Sequence, residues 1–352
     1  MISGVFFIVI TAIGLREAII RSIPDAVKTA ITPGIGLFIT IIGLKNAGIV
    51  ISNPATLVSL VDFSQWKIEG ADLALMSSAL VALAGLVIMG MLHARKIKGS
   101  ILLGIVAATL IGIPLGVTHI SNLDMNIGMK FRDFAEVSFM KMDFAGLFSG
   151  ANMVETIFTV TMLVISFSLV NMFDSIGTLL GAAKQSGMID ENGEVIRMKQ
   201  ALMSDAISTA AGAMVGTSTV TTVVESSAGI AAGGRTGLTS LVTALMFLGA
   251  ILFAPIVSIV PAAATAPALI FVGILMLGNI RDVDFSDMSN ALPAFCTIVF
   301  MPFTYSIANG VAFGLITYCL MKLTTGRRQD VKILTLAISV VFVVRYAFMT
   351  LG

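Results

Sequence analysis

Histidine, cysteine and charge are all scarce in this chain. The two histidines, His93 and His119, stand near the ends of apolar segments, so a histidine-based metal centre is not expected. The two cysteines, Cys296 and Cys319, sit in apolar runs and read as small buried hydrophobes rather than as metal ligands or a disulfide framework. Charged residues make up 12% of the 352, where a soluble domain carries about 25%. Walker A, HExxH and GxSxG motifs are missing, so neither ATP-driven transport nor a familiar hydrolase has support, and no cofactor is expected. A net charge of +1 gives no electrostatic case for nucleic acid as a partner.

What is present is apolar: 57% of the residues are hydrophobic and the mean hydropathy is +1.01. The runs are helix-length, which indicates a helical integral membrane protein rather than a barrel of strands of about ten residues. They fall near 2–14, 29–50, 71–92, 99–117, 154–182, 200–216, 236–259, 262–280, 291–306, 308–323 and 331–350. The first is short of the ~20 residues needed to span a bilayer, so Met1 is expected to open partway through a helix. No basic residue precedes it and no small-residue cleavage site follows, so it is not read as a signal peptide.

Basic residues orient the array. Arg16, Arg21 and Lys28, the His93–Lys98 turn, Lys184, Arg197 and Lys199, Arg235 and Arg327–Arg328 all fall on one side if 217–234 counts as a single crossing. That side is taken as cytoplasmic, which puts 51–70 and the mixed-charge stretch 118–153, expected to carry a surface helix, outside. An internal echo is also visible. Arg21-Ser-Ile-Pro-Asp-Ala leads into Ile31-Thr-Pro-Gly and ends Gly43-Leu-Lys-Asn; Ser258-Ile-Val-Pro-Ala-Ala leads into Ala266-Pro-Ala and ends Leu277-Gly-Asn. Each copy is followed by two further apolar segments, and the two fall on opposite sides, the pattern of inverted repeats in secondary transporters.

Three stretches carry chemistry. In the fifth segment Ser168, Asn171, Ser175 and Thr178 form one polar stripe with Asp174 beside it. An ionised Asp facing lipid costs at least a few kcal/mol, so it faces protein or a water-filled cavity, unless it lies at the cytoplasmic interface. In the sixth, Asp205, Ser208, Thr209, Gly212 and Gly216 share a face that reads mainly as close helix packing, with Asp205 as a ligand the lesser alternative. The third is Gly216–Gly237, where Thr217–Val223 read as a short extended segment and Glu225 follows near the start of a short helix. Extended backbone cannot face lipid, so it pairs with a strand or lines a polar cavity. A carboxylate beside free helix N–H groups suits a planar heterocycle that both donates and accepts; a structural Glu225–Arg235 pair is the alternative. Asp282, Asp284 and Asp287 read as solvated loop residues. Phe173, Phe247, Phe253 and Phe295 read as packing or lipid-facing, given 22 phenylalanines.

The motifs Asn171-Met-Phe-Asp-Ser-Ile-Gly-Thr-Leu, Gly216-Thr-Ser-Thr-Val-Thr-Thr-Val-Val-Glu through Arg235-Thr-Gly, and Met301-Pro-Phe-Thr-Tyr-Ser-Ile-Ala-Asn-Gly resemble the AzgA-like purine permeases. These form a branch of the xanthine/uracil/vitamin C permease superfamily. The resemblance spans essentially the whole chain. It implies an all-α polytopic transporter of fourteen segments in two inverted repeats of seven, with a core domain rocking against a gate domain. The base would lie between two half-helices, each preceded by a short strand. On that scheme Met1 falls inside segment 4, so segments 1–3 would be missing. Residues 1–15 would finish core segment 4, 16–117 form gate segments 5–7, 118–153 an extracytoplasmic connection, 154–259 core segments 8–11, 260–323 gate segments 12–14, and 324–352 an additional hydrophobic helix.

By motif match the resemblance assigns Asp174 and Glu225 to base binding or proton coupling, with Asn171, Thr217, Ser218 and Thr219 completing the binding set. Ser226 stands where the uracil/xanthine branch has Asn, which favours hypoxanthine, guanine or adenine; Asn171 stands where some relatives carry a second carboxylate, which weakens proton coupling through that position. The expectation is a proton-coupled purine symporter in the inner (cytoplasmic) membrane, with the bilayer, a purine nucleobase and a proton as partners and a homodimer as the candidate assembly. Alternatives are a uracil/xanthine or anion transporter on the same fold, or an inactive fragment.

Overall fold

The computed structural model describes residues 1–64, 73–119, 132, 134–143, 146, 156, 160, 164, 168, 171–172, 175–183, 186–191, 195–217, 219–223, 226–253 and 259–351. It is mostly helical. In chain order the elements are α1 (Ile2–Ala12), α2 (Leu15–Ser22), α3 (Asp25–Asn46), β1 (Val50–Asn53), β2 (Leu57–Leu60), α4 (Leu73–Ala94), α5 (Ser100–Gly112), α6 (Met198–Val215), α7 (Ser226–Ala231), α8 (Gly237–Leu252), α9 (Ala262–Leu277), α10 (Met288–Phe303), α11 (Ile307–Thr324) and α12 (Ile333–Leu351). Among the described residues, α3, α4, the run Ala262–Asp282 and α11 are long and apolar enough to cross a membrane, and α1 with α2 would make a fifth span bent by 78°. The protein is therefore a multi-pass membrane protein. Residues 156, 160, 164, 168, 171–172 and 175–183 of the fifth apolar run are helical.

The chain divides into two compact units, Met1–Ile35 with Gly128–Ser226 and Gly278–Gly352, and Gly36–Ile127 with Ser227–Leu277. In the first, α1 packs along α6. Gly4 makes this possible, since a Cβ there would lie 2.8 Å from the Ala210 backbone nitrogen. Residue Gly34 of α3 meets Met301 and Ile298 of α10, and α10 packs on α11 as a hairpin. Helix α12 lies on α11, fixed by stacked Phe313 and Tyr346 rings 5.5 Å apart and by the Tyr346 hydroxyl donating to Asn309 Oδ1 at 2.9 Å. It also reaches α2, where Lys332 Nζ donates to Arg21 O and Thr335 Oγ1 to Ser22 O.

In the second unit α4 and α5 form a hairpin that packs on α9. Gly36 of α3 lies against the Gly273 carbonyl of α9, and Gly43 against Ile270. The two helices of the internal echo, α3 and α9, thus meet through small residues, and each is followed by a helical hairpin. Their partners are exchanged: the start of α3 sits on α10, while α9 sits on α4 and α5.

Two local features, at 50–60 and at Asp287, depart from the sequence expectations, and one exposed helical turn falls within 118–153. Residues 50–60 form an antiparallel hairpin, Val50 opposite Leu60 and Asn53 opposite Leu57, rather than a plain connection. Asn53 Oδ1 accepts from the Ala55 N–H at 2.8 Å and closes the turn. Residues Phe134–Ser138 make one exposed π-helical turn, docked on the end of α6 by the Met140 N–H to Met214 O bond of 2.9 Å. Asp287 is more than a solvated loop residue. It caps α10 by accepting from the Ser289 N–H at 2.9 Å and holds Arg327 Nη1 at 2.6 Å, which lowers its pKa to about 2. Phe247, Phe253 and Phe295 are all more than half exposed, at 72, 58 and 53%; Phe173 lies outside the described residues.

Candidate functional site

The site is built on the break between α6 and α7. Helix α6 stops at Gly216, whose φ of +85° suits glycine and turns the chain out of the helix; the Thr217 N–H then closes on Gly212 O at 3.0 Å. Residues 219–223 belong to neither helix nor sheet, and α7 begins at Ser226, directly after position 225. Non-helical backbone at membrane depth needs partners, because lipid offers none. Among the described residues no strand runs alongside, and side chains take that role. Val220 O accepts from the Thr209 hydroxyl at 2.7 Å, which also lies 2.9 Å from Asp205 O, so its one proton is shared. The Thr222 N–H donates to Asp205 Oδ1 at 3.3 Å. The Thr221 and Ser175 hydroxyls meet at 2.7 Å.

The polar stripe predicted on the fifth segment is a buried face: Ser168, Asn171, Ser175 and Thr178 are each no more than 7% exposed. Ser175 is tied to the break, whereas Asn171 Nδ2 and Ser168 Oγ are buried with no partner among the described residues. An amide N–H in that condition costs roughly 1–3 kcal/mol, so it is a donor waiting for an acceptor. Thr217 and Thr219 are exposed at the break. Asp174, Ser218 and Glu225 lie outside the described residues. Arg235, the alternative partner for Glu225, donates to Ile230 O at 2.6 Å and Gly234 O at 2.9 Å, at the C-terminal end of α7.

Sequence reasoning missed Arg16. Its place in a basic flank suggested a cytoplasmic loop, yet its side chain is 0% exposed and its Nη2 lies 2.9 Å from Asp205 Oδ2. Nη1 donates to Leu202 O at 3.2 Å, and the guanidinium stands 4.7 Å from the centre of the Phe7 ring. The cause is the bend at Gly14, φ +79°, which ends α1 and starts α2 one turn before the basic cluster. Asp205, Thr209 and Gly212 do share one face of α6, as their spacing predicts, and that face holds the break. His93 stands edge-on to Phe271 at 5.0 Å, and Cys319 Sγ lies 3.3 Å from Ser339 Oγ.

A break between two helices of an apolar bundle, backed by the buried polar faces of Ser175 and Asn171 and of Asp205 and Thr209, is a transporter's binding arrangement rather than an enzyme's. The profile of the permease family, the xanthine/uracil permeases, matches residues 1–313. The chain belongs to that family. Within the family it stands in the AzgA-like branch, and it is a membrane transport protein, not an enzyme. It is 39% identical to a putative permease of Methanocaldococcus jannaschii over 99% of this chain and 75% of that one. It is also 39% identical to the adenine permease AdeP of Escherichia coli, over 97% of this chain and 71% of the relative. The guanine/hypoxanthine permease PbuO of Bacillus subtilis is 36% identical over 97% of this chain and 75% of its own length.

Proposed function

We propose that this permease carries purine nucleobases across the cytoplasmic membrane by proton-coupled secondary transport. The observation that carries the reading is the buried Asn171 Nδ2, without a partner among the described residues, on the face whose Ser175 bonds to the α6–α7 break. A purine presents ring nitrogens and exocyclic oxygen as acceptors and N–H groups as donors. Asn171 Nδ2 would donate to the base, while Glu225, Asp174, Ser218 and the exposed Thr217 and Thr219 complete the contact. Asp174 and Glu225 are the two candidates for the coupled proton, since a carboxylate that accepts from a base N–H changes proton affinity as the base arrives. Relatives named for adenine, guanine and hypoxanthine, together with Ser226, favour purines over uracil or xanthine.

The exchanged packing of α3 and α9 with each other's hairpins supports two inverted repeats of seven segments, with a core (1–15 and 154–259) rocking against a gate (16–117 and 260–323). The test is uptake of radiolabelled adenine, hypoxanthine, guanine, xanthine and uracil by a purine-uptake-deficient strain expressing the gene. Purine accumulation that a protonophore abolishes supports the reading. Accumulation of uracil alone, or purine uptake indifferent to a protonophore, overturns the substrate class or the coupling, respectively.

A further inference from the structure

We infer that Arg16 and Asp205 are positioning residues for the substrate site: the ion pair aims the Asp205 carboxylate so that it sets the backbone of the α6–α7 break. The inference rests on the transport reading above. Each oxygen of the carboxylate has a separate task, Oδ2 on Arg16 at 2.9 Å and Oδ1 on the Thr222 N–H at 3.3 Å. Thr222 stands three residues before position 225 and next to Thr221, whose hydroxyl meets Ser175 on the Asn171 face. A shift of the Thr222 backbone therefore moves both walls of the proposed site.

Helix packing alone does not account for this pair. Apolar residues of similar volume hold two helices at least as well as a buried salt bridge does, and Gly4 on Ala210 already brings α1 close to α6. What an apolar pair cannot do is accept a hydrogen bond from backbone that has left its helix, where lipid offers no partner and a fixed acceptor sets the position of the N–H. A charged acceptor makes that bond stronger than a neutral one, and the charge is tolerated because Arg16 balances it with three anchors of its own: Asp205, Leu202 O and the Phe7 ring. The bend at Gly14 delivers Arg16 to that spot, and the carbonyls at the far end of α2 are held by Lys332, just before α12, and by Thr335 of α12.

The experiment compares two uncharged pairs. Arg16→Gln with Asp205→Asn keeps an acceptor for the Thr222 N–H; Arg16→Gln with Asp205→Leu removes it. Uptake of tritiated adenine, hypoxanthine and guanine is measured against substrate concentration, with membrane abundance read from an epitope tag. The expected result is a KM within about threefold of wild type for the first pair and at least about tenfold higher for the second, at comparable abundance. Equal KM for both pairs, or a difference confined to abundance or maximal rate, overturns the inference while leaving the transport reading intact. Wild-type protein that accumulates no purine overturns the transport reading, and the inference falls with it.

Discussion

The guanidinium of Arg16 meets the carboxylate of Asp205 at 2.9 Å with 0 and 1% of the two side chains exposed. Removing one partner leaves the other charge uncompensated in an apolar interior, which costs about 3–5 kcal/mol. Arg16→Ala and Asp205→Ala are each expected to lower the melting temperature in detergent by several degrees and to reduce membrane abundance. Arg16→Met with Asp205→Leu is expected to recover most of that loss. Single variants as stable as wild type would contradict a sealed ion pair.

Close approach of α1 to α6 depends on a missing side chain. A Cβ at Gly4 would come within 2.8 Å of the Ala210 backbone, so Gly4→Val must push the helices apart, at a cost of about 1–3 kcal/mol. Gly90, with nothing within 4 Å of where its Cβ would stand, is the control. Gly90→Ala is expected to leave the melting temperature unchanged or to raise it slightly. The two transitions, compared by thermal unfolding in one detergent, check this.

Asn171 offers a donor that the described residues leave unused. Asn171→Ala therefore removes no Nδ2 bond to a described residue of the empty protein. It should leave abundance and stability near wild type while raising the KM for purines by roughly tenfold, the worth of one hydrogen bond to the base. A fall in abundance with unchanged KM would place Asn171 in the packing instead.

Outside the membrane, Asp287 caps α10 and pairs with Arg327, and its carboxyl pKa falls from 3.8 to about 2, chiefly through the Ser289 N–H and then Arg327. A folded-state pKa below the unfolded value gives stability that is fully present above pH ~4 and is lost as the pH falls through the folded pKa. Between pH 5 and 2 the wild-type melting temperature should drop with a component that Asp287→Asn does not share. Identical pH profiles would contradict the cap.

The helices were legible because bilayer thickness demands long apolar runs, and each run with described residues carries a helix: 29–50 holds α3, 71–92 α4, and 331–350 α12. The buried stripe of Ser168, Asn171, Ser175 and Thr178 was legible for a similar reason, since helical spacing puts them on one face. Arg16 was not. Basic residues are counted toward membrane sides, and nothing in the local pattern marks one whose partner lies 189 positions away. The 50–60 hairpin was hidden because Val50 and Ile51 continue the apolar run of α3, and only the Asn53 turn separates the two strands. At the break, the Thr- and Val-rich composition suggested a strand, yet residues 219–223 form none among the described residues. Thr209, Ser175 and Asp205 are distant in sequence and supply partners that composition cannot reveal.

The most direct test of purine transport through the α6–α7 break is uptake of tritiated hypoxanthine, guanine and adenine by cells carrying wild type or Glu225→Gln at matched membrane abundance. The account predicts saturable uptake of at least one purine by wild type, competed by unlabelled purines and not by uracil, and near-background uptake by Glu225→Gln. Purine uptake by Glu225→Gln at the wild-type rate, or wild-type uptake competed by uracil and by no purine, would contradict it.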